Sequence, residues 1–146
     1  MIAWVKNQNE QWMIESSLYD GNQFSDPLVT VAGHGRTANP CLVAGNNNIF
    51  WLAWENYSTG SFQIQLKKFQ SGTWGNTITI TDPNYNAYEP ALTIDHNGNV
   101  WIAYSLVEEG EKNIYIKKYD LQTEQLSQAI PRSEERRVGK ECRSRW

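Results

Sequence analysis

The sequence predicts an all-β chain built from a repeated four-stranded unit, and three observations carry that prediction. Motifs recur at one offset: Ile2-Ala3-Trp4, Leu52-Ala53-Trp54 and Ile102-Ala103-Tyr104 stand fifty positions apart. Ile14, Ile64 and Ile114 keep the same offset, as do Tyr19, Phe69 and Tyr119. The second observation is the period. Val100-Trp101-Ile102-Ala103-Tyr104 and Ile114-Tyr115-Ile116 are β-branched and aromatic runs with no helical spacing. The third is the punctuation between runs: Ser71-Gly72, Asp82-Pro83-Asn84 and Asp95-His96-Asn97-Gly98-Asn99 are turn-forming clusters.

Taken in order, the first unit begins inside its second strand at Ile2-Ala3-Trp4 and lacks a first strand. The middle unit has strands at about 40–44, 49–55, 62–69 and 77–81. The next has them at about 90–94, 99–106, 112–119 and 126–130. Pro40-Cys41-Leu42 and Pro90-Ala91-Leu92 open the two complete units. Four antiparallel strands at a spacing near fifty residues are the mark of a β-propeller blade. The expected architecture is therefore a partial β-propeller of about two and three-quarter blades, divided at 1–39, 40–89 and 90–131. Ala3, Ala53 and Ala103 should then occupy equivalent positions on second strands, where a small residue lets neighbouring sheets approach.

Residues 132–146 continue none of this. They hold five of the chain's arginines, whereas Arg36 is the one arginine before them. The whole fifteen-residue string resembles a sequencing adapter translated in frame, and it is read as a non-native tail, expected to leave Val138 and Trp146 unpacked. Met1 is correspondingly read as internal to a longer reading frame, which makes the missing blades the chain's natural neighbours.

Composition excludes several classes of function. The 146 residues carry 13 Lys+Arg against 16 Asp+Glu, a net charge of −3. Without the tail, seven basic and thirteen acidic residues remain, a net of −6. That is no footprint for nucleic acid, and no apolar run is long enough for a membrane span. Aromatic residues make up 12% of the chain, which argues against disorder. Two cysteines, Cys41 and Cys142, cannot form a disulfide framework. An acidic chain poor in Cys and Arg suits an extracellular or cell-surface bacterial protein.

The stretch from Tyr88 to Tyr104 resembles the repeat of sialidase-like propellers of bacterial secreted and surface proteins. Ile64 to Phe69, followed by Gly72-Thr73-Trp74, resembles the strand, turn and Trp of their Asp-box hairpin. The resemblance covers residues 1–131 and implies architecture more than activity. It has departures: no Asp lies between Phe69 and Trp74, and Phe24 replaces Trp after Asp20-Gly21. The arginine cluster that sialidases use for the substrate carboxylate cannot be assembled from Arg36 alone.

Candidate chemistry is correspondingly sparse. Trp4, Trp51, Trp54, Trp74 and Trp101 could stack on sugars, but their repeat-equivalent placement favours packing between blades. Asp95 to Asn99 could offer oxygen ligands to Ca²⁺, yet Asn97-Gly98 between two strands favours a plain turn. Glu108, Glu109 and Glu111 read as a solvated loop tip. No phosphate loop, dinucleotide fingerprint or zinc spacing occurs, so neither cofactor nor metal is expected. Function should reside in loops on one face, 32–39 and 82–89 together with 55–61 and 105–111. Within them His34, Arg36, Tyr85, Asn86 and Tyr88 are the candidate ligand-contact residues. The resulting expectation is a non-catalytic propeller segment of a larger secreted or surface protein, binding a carbohydrate or protein ligand. The alternative is part of a sialidase-like glycoside hydrolase whose catalytic residues lie in the missing blades.

Overall fold

The computed structural model describes residues 1–32, 35–58 and 60–132. Among these residues there is no helix; thirteen strands form three antiparallel sheets. The first sheet is β1 (Ile2–Gln8), β2 (Gln11–Ser17) and β3 (Leu28–Ala32), in that order. The second is β4 (Arg36–Ala44), β5 (Phe50–Tyr57) and β6 (Phe62–Gln70), with β7 (Thr73–Trp74) and β8 (Ile78–Thr79) both on β6. The third repeats that order with β9 (Asn86–Ile94), β10 (Val100–Glu108), β11 (Glu111–Asp120), β12 (Gln125–Leu126) and β13 (Ile130–Pro131). The tail residues Val138 and Trp146 lie outside the described residues.

The three expected alanines do sit on matching strands. Ala53 on β5 pairs with Cys41 and Leu66, Ala103 on β10 pairs with Ala91 and Ile116, and Ala3 on β1 pairs with Ser16. These partners stand fifty residues apart from sheet to sheet.

Two expectations about strand ends are corrected. The segments 36–38 and 86–88 are not loop but strand, because pairing resumes ahead of the prolines: Ala38 faces Glu55 and Tyr88 faces Ser105. A bulge separates the two stretches in each case. Pro40 and Pro90 have no N–H to give the ladder, and the residues before them, Asn39 and Glu89, take φ of 48° and 57°. A proline that reads as a strand start is therefore the middle of a bulged strand. Likewise β10 runs to Glu108 and turns through Glu109 and Gly110, both with positive φ, straight into β11. Two left-handed residues make the turn whose twist matches antiparallel strands. The wide loop expected at 105–111 is thus a two-residue hairpin.

The fourth strand of each complete sheet is broken. β7 pairs with Phe69 and Gln70 at the end of β6 and β8 with Gln65 and Leu66 in its middle, with Gly75, Asn76 and Thr77 between them, and β12 and β13 pair likewise with the end and middle of β11. A short, interrupted edge offers little ladder to a passing chain.

The sheets stack face to face, so side chains alternate between two interfaces along each strand. On β5, Trp51 and Ala53 join Val100, Ile102 and Tyr104 of the third sheet in one core. Leu52 and Trp54 join Ile14 and Val31 of the first sheet in another. Trp51 and Trp54 are 2% and 0% exposed, which makes both packing residues. One polar contact recurs between sheets: Lys67 Nζ donates to Thr30 O (2.8 Å), and Lys117 Nζ donates to Ile80 O (2.7 Å). Donor and acceptor both move by fifty residues, and partial burial lowers both ammonium pKa values.

Asp95 supports the turn reading of 95–99. Its Oδ1 accepts from the amides of Asn97 and Asn99 (both 2.9 Å), and Oδ2 accepts from Asn99 Nδ2 (3.1 Å) and Trp101 Nε1 (3.0 Å). Led by the Trp101 bond, these donors hold the carboxyl at about 2 instead of 3.8. A depressed pKa stabilises the fold above the ordinary carboxylate range, and that contribution drains away as pH falls from about 4 towards 2. Denaturant midpoints measured at pH 7 and through this acid range should therefore fall less steeply for Asp95→Asn than for the parent chain. Asp20, Glu89 and Asp120, also depressed, keep titrating in both. Equal slopes would show that Asp95 is not fixing the turn.

Candidate functional site

The bulges at Asn39 and Glu89 fall at one end of the second and third sheets and line a cleft of about 310 Å³. Its other walls are Glu55, Tyr88, Val107 and Lys112. Glu55 is the centre of the arrangement. It sits inside β5, 4% exposed, on the same face as Trp51 and Ala53. Its Oε1 accepts from Asn39 Nδ2 (2.6 Å) and from the Glu89 backbone amide (2.7 Å). Among the described residues Oε2 has no hydrogen-bond partner and Glu55 has no cation partner.

The Glu89 side chain turns the other way. Its Oε2 accepts from Lys112 Nζ (2.6 Å) and Ser105 Oγ (3.3 Å). The Lys112 hydrogen bond and charge hold this exposed carboxyl below its usual range. A polar relay thus runs from Asn39 through Glu55 and Glu89 to Lys112, crossing between two sheets. The cleft presents carboxylate acceptors, one ammonium and the ring of Tyr88, which packs against Phe62 at 5.1 Å between centroids.

The sequence candidates are scattered around this cleft. Tyr88 lines it. Asn86 is engaged as structure, its Oδ1 accepting from the Phe62 amide (2.9 Å). Tyr85 lines a second, larger and more enclosed cavity of about 450 Å³ with Glu108, Glu109, Glu111 and Asn113. There the Tyr115 hydroxyl donates to Glu108, which pushes the phenol up to about 12. Arg36 is exposed at the start of β4 with its guanidinium over the Trp12 ring, 5.5 Å from the centroid. Beside it Gly35 (φ 130°) passes tightly over Tyr57: a Cβ at Gly35 would fall 2.0 Å from the Tyr57 carbonyl oxygen. His34 lies outside the described residues.

Glu55, Asn39, Glu89 and Lys112 were missing from the candidates. The available signal was Glu55 itself, a carboxylate closing the apolar run Phe50-Trp51-Leu52-Ala53-Trp54. Among the described residues no group of three His, Cys, Asp or Glu side chains is placed to hold a metal ion, and no helix is long and apolar enough to cross a membrane. Compared with protein-family models the chain matches none, and no curated protein matches it.

Proposed function

We propose that the chain is a non-catalytic β-propeller segment of a larger bacterial secreted or cell-surface protein, of the sialidase-like repeat type. In this reading it binds the hydroxyl groups of a carbohydrate at the cleft around Glu55. The observation that carries the reading is the Glu55 carboxylate, buried in a strand yet lining an open cleft with one oxygen that has no donor among the described residues. A carboxylate oxygen that reaches the cleft can accept from a partner that donates hydrogen bonds, and sugar hydroxyls do so next to an ammonium and an aromatic edge. Two carboxylates in the same cleft disfavour an acidic sugar. Arg36 is not among the cleft residues, and Lys112 is already bonded to Glu89. This weighs against a sialidase-like hydrolase.

The test is a glycan array with the full chain, followed by calorimetry on any hit and an assay with a fluorogenic sialoside. Saturable binding of a neutral glycan is expected, weakened about tenfold or more by Glu55→Gln, which leaves the acceptor for Asn39 in place but removes the charge. No sialoside should be hydrolysed. Hydrolysis abolished by Arg36→Ala would replace this reading with the enzymatic one.

A further inference from the structure

Each sheet has two faces, and the interior of the molecule shows what covers each kind. The face of the second sheet that carries Trp51, Ala53, Ile64 and Leu66 is buried by the third sheet, with all four residues at 2% exposure or less. Fifty residues on, the third sheet carries Trp101, Ala103, Ile114 and Ile116. Along β10, Val100, Ile102, Tyr104 and Leu106 point into the core, so Trp101 and Ala103 point to the opposite face. There Ile114 is 53% exposed where Ile64 is fully buried. The third sheet therefore bears the same apolar surface as the second, with no sheet upon it among the described residues.

The first sheet supplies the complementary half. Leu52 and Trp54 of the second sheet are fully buried against it. Their counterparts Ile2 and Trp4 lie on the far face of β1, since Ala3 and Val5 point inward. Ile2 is 47% exposed.

We infer that the outer face of the third sheet docks the outer face of the first sheet of a second copy, head to tail. This contact continues the internal sheet-on-sheet interfaces with residues of the same kind at the same register. For this chain on its own a second copy is the occupant, because one chain carries both complementary faces, the same two that further blades of a larger protein would cover. The contact is heterologous, so it either closes or propagates. Two copies supply six sheets, a number within the range that closes into a ring, which favours a dimer over a fibre. Ser17 stands where Lys67 and Lys117 make their cross-sheet bonds, so the contact between copies lacks that staple and is weaker than those within the chain. The inference does not depend on the carbohydrate reading.

Sedimentation velocity of the full chain from low to high micromolar concentration tests it. A concentration-dependent monomer–dimer equilibrium is expected. Ile114→Glu and Ile2→Lys should each raise the dimer Kd about tenfold or more. Both positions are exposed, so near-UV circular dichroism and the thermal midpoint of the monomer should stay unchanged. An equimolar mixture of the two variants should associate more strongly than either alone, because each keeps one intact face. A monomer at every concentration, a dimer indifferent to both substitutions, or a mixture that behaves as the separate variants do would overturn the inference.

Discussion

Trp54→Ala is expected to lower the unfolding free energy by about 3–5 kcal/mol, the usual range for truncating a fully buried aromatic side chain. Trp54 is 0% exposed between the first and second sheets, packed in a cluster with Ile14, Val31 and Leu52. Such a loss is a large share of the roughly 5–15 kcal/mol that holds a domain of ordinary size. Trp54→Phe should cost well under half as much. It leaves a smaller void, and it removes an indole N–H that has no hydrogen-bond partner among the described residues. Urea unfolding followed by far-UV circular dichroism measures both variants. Equal losses for Phe and Ala would mean that the N–H is worth keeping, and so that it is bonded.

Glu55→Ala comes next, with an expected loss of about 1.5–3 kcal/mol. The substitution removes a carboxylate that accepts from Asn39 Nδ2 and from the Glu89 amide, and it leaves that amide without an acceptor at a sheet junction. Glu55→Gln keeps an acceptor oxygen and should lose less. Hydrogen exchange separates this from a general loss of packing: the Glu89 amide should exchange much faster in Glu55→Ala, and only modestly faster in Glu55→Gln. Unchanged protection at Glu89 in the alanine variant would remove Glu55 from the relay.

The all-β class and most of the strands were readable in the sequence, and particular residues show why. The run Val100 to Tyr104 is apolar, β-branched and aromatic, and the turn at Asp95 to Asn99 has its acceptor and its glycine at positions the chain itself dictates. Strand identity and tight turns depend on a few consecutive residues. The matching placement of Ala3, Ala53 and Ala103 could be read for the same reason: a repeated sequence presents the same pattern to each hairpin.

Where a strand stops and what covers a side chain were not readable. Whether pairing crosses Pro40 or Pro90 depends on the strand alongside, which resumes the ladder at Ala38 and Tyr88 and turns expected loops into bulged strands. Glu55 and Ile114 show the same limit from opposite directions. A carboxylate at the end of an apolar run reads as solvated, yet the third sheet buries it, and the Glu89 amide and the Asn39 side chain accept that burial by donating to it. An isoleucine equivalent to a core residue reads as core, yet Ile114 stands 53% exposed, with no sheet over it among the described residues. The sequence by itself determined which stretches form strands and where turns such as Asp95 to Asn99 fall, because these depend on short-range sterics and alternation. Only the tertiary structure decided burial, and with it the cleft, because burial depends on which sheet lies against which, through contacts between residues distant in the chain.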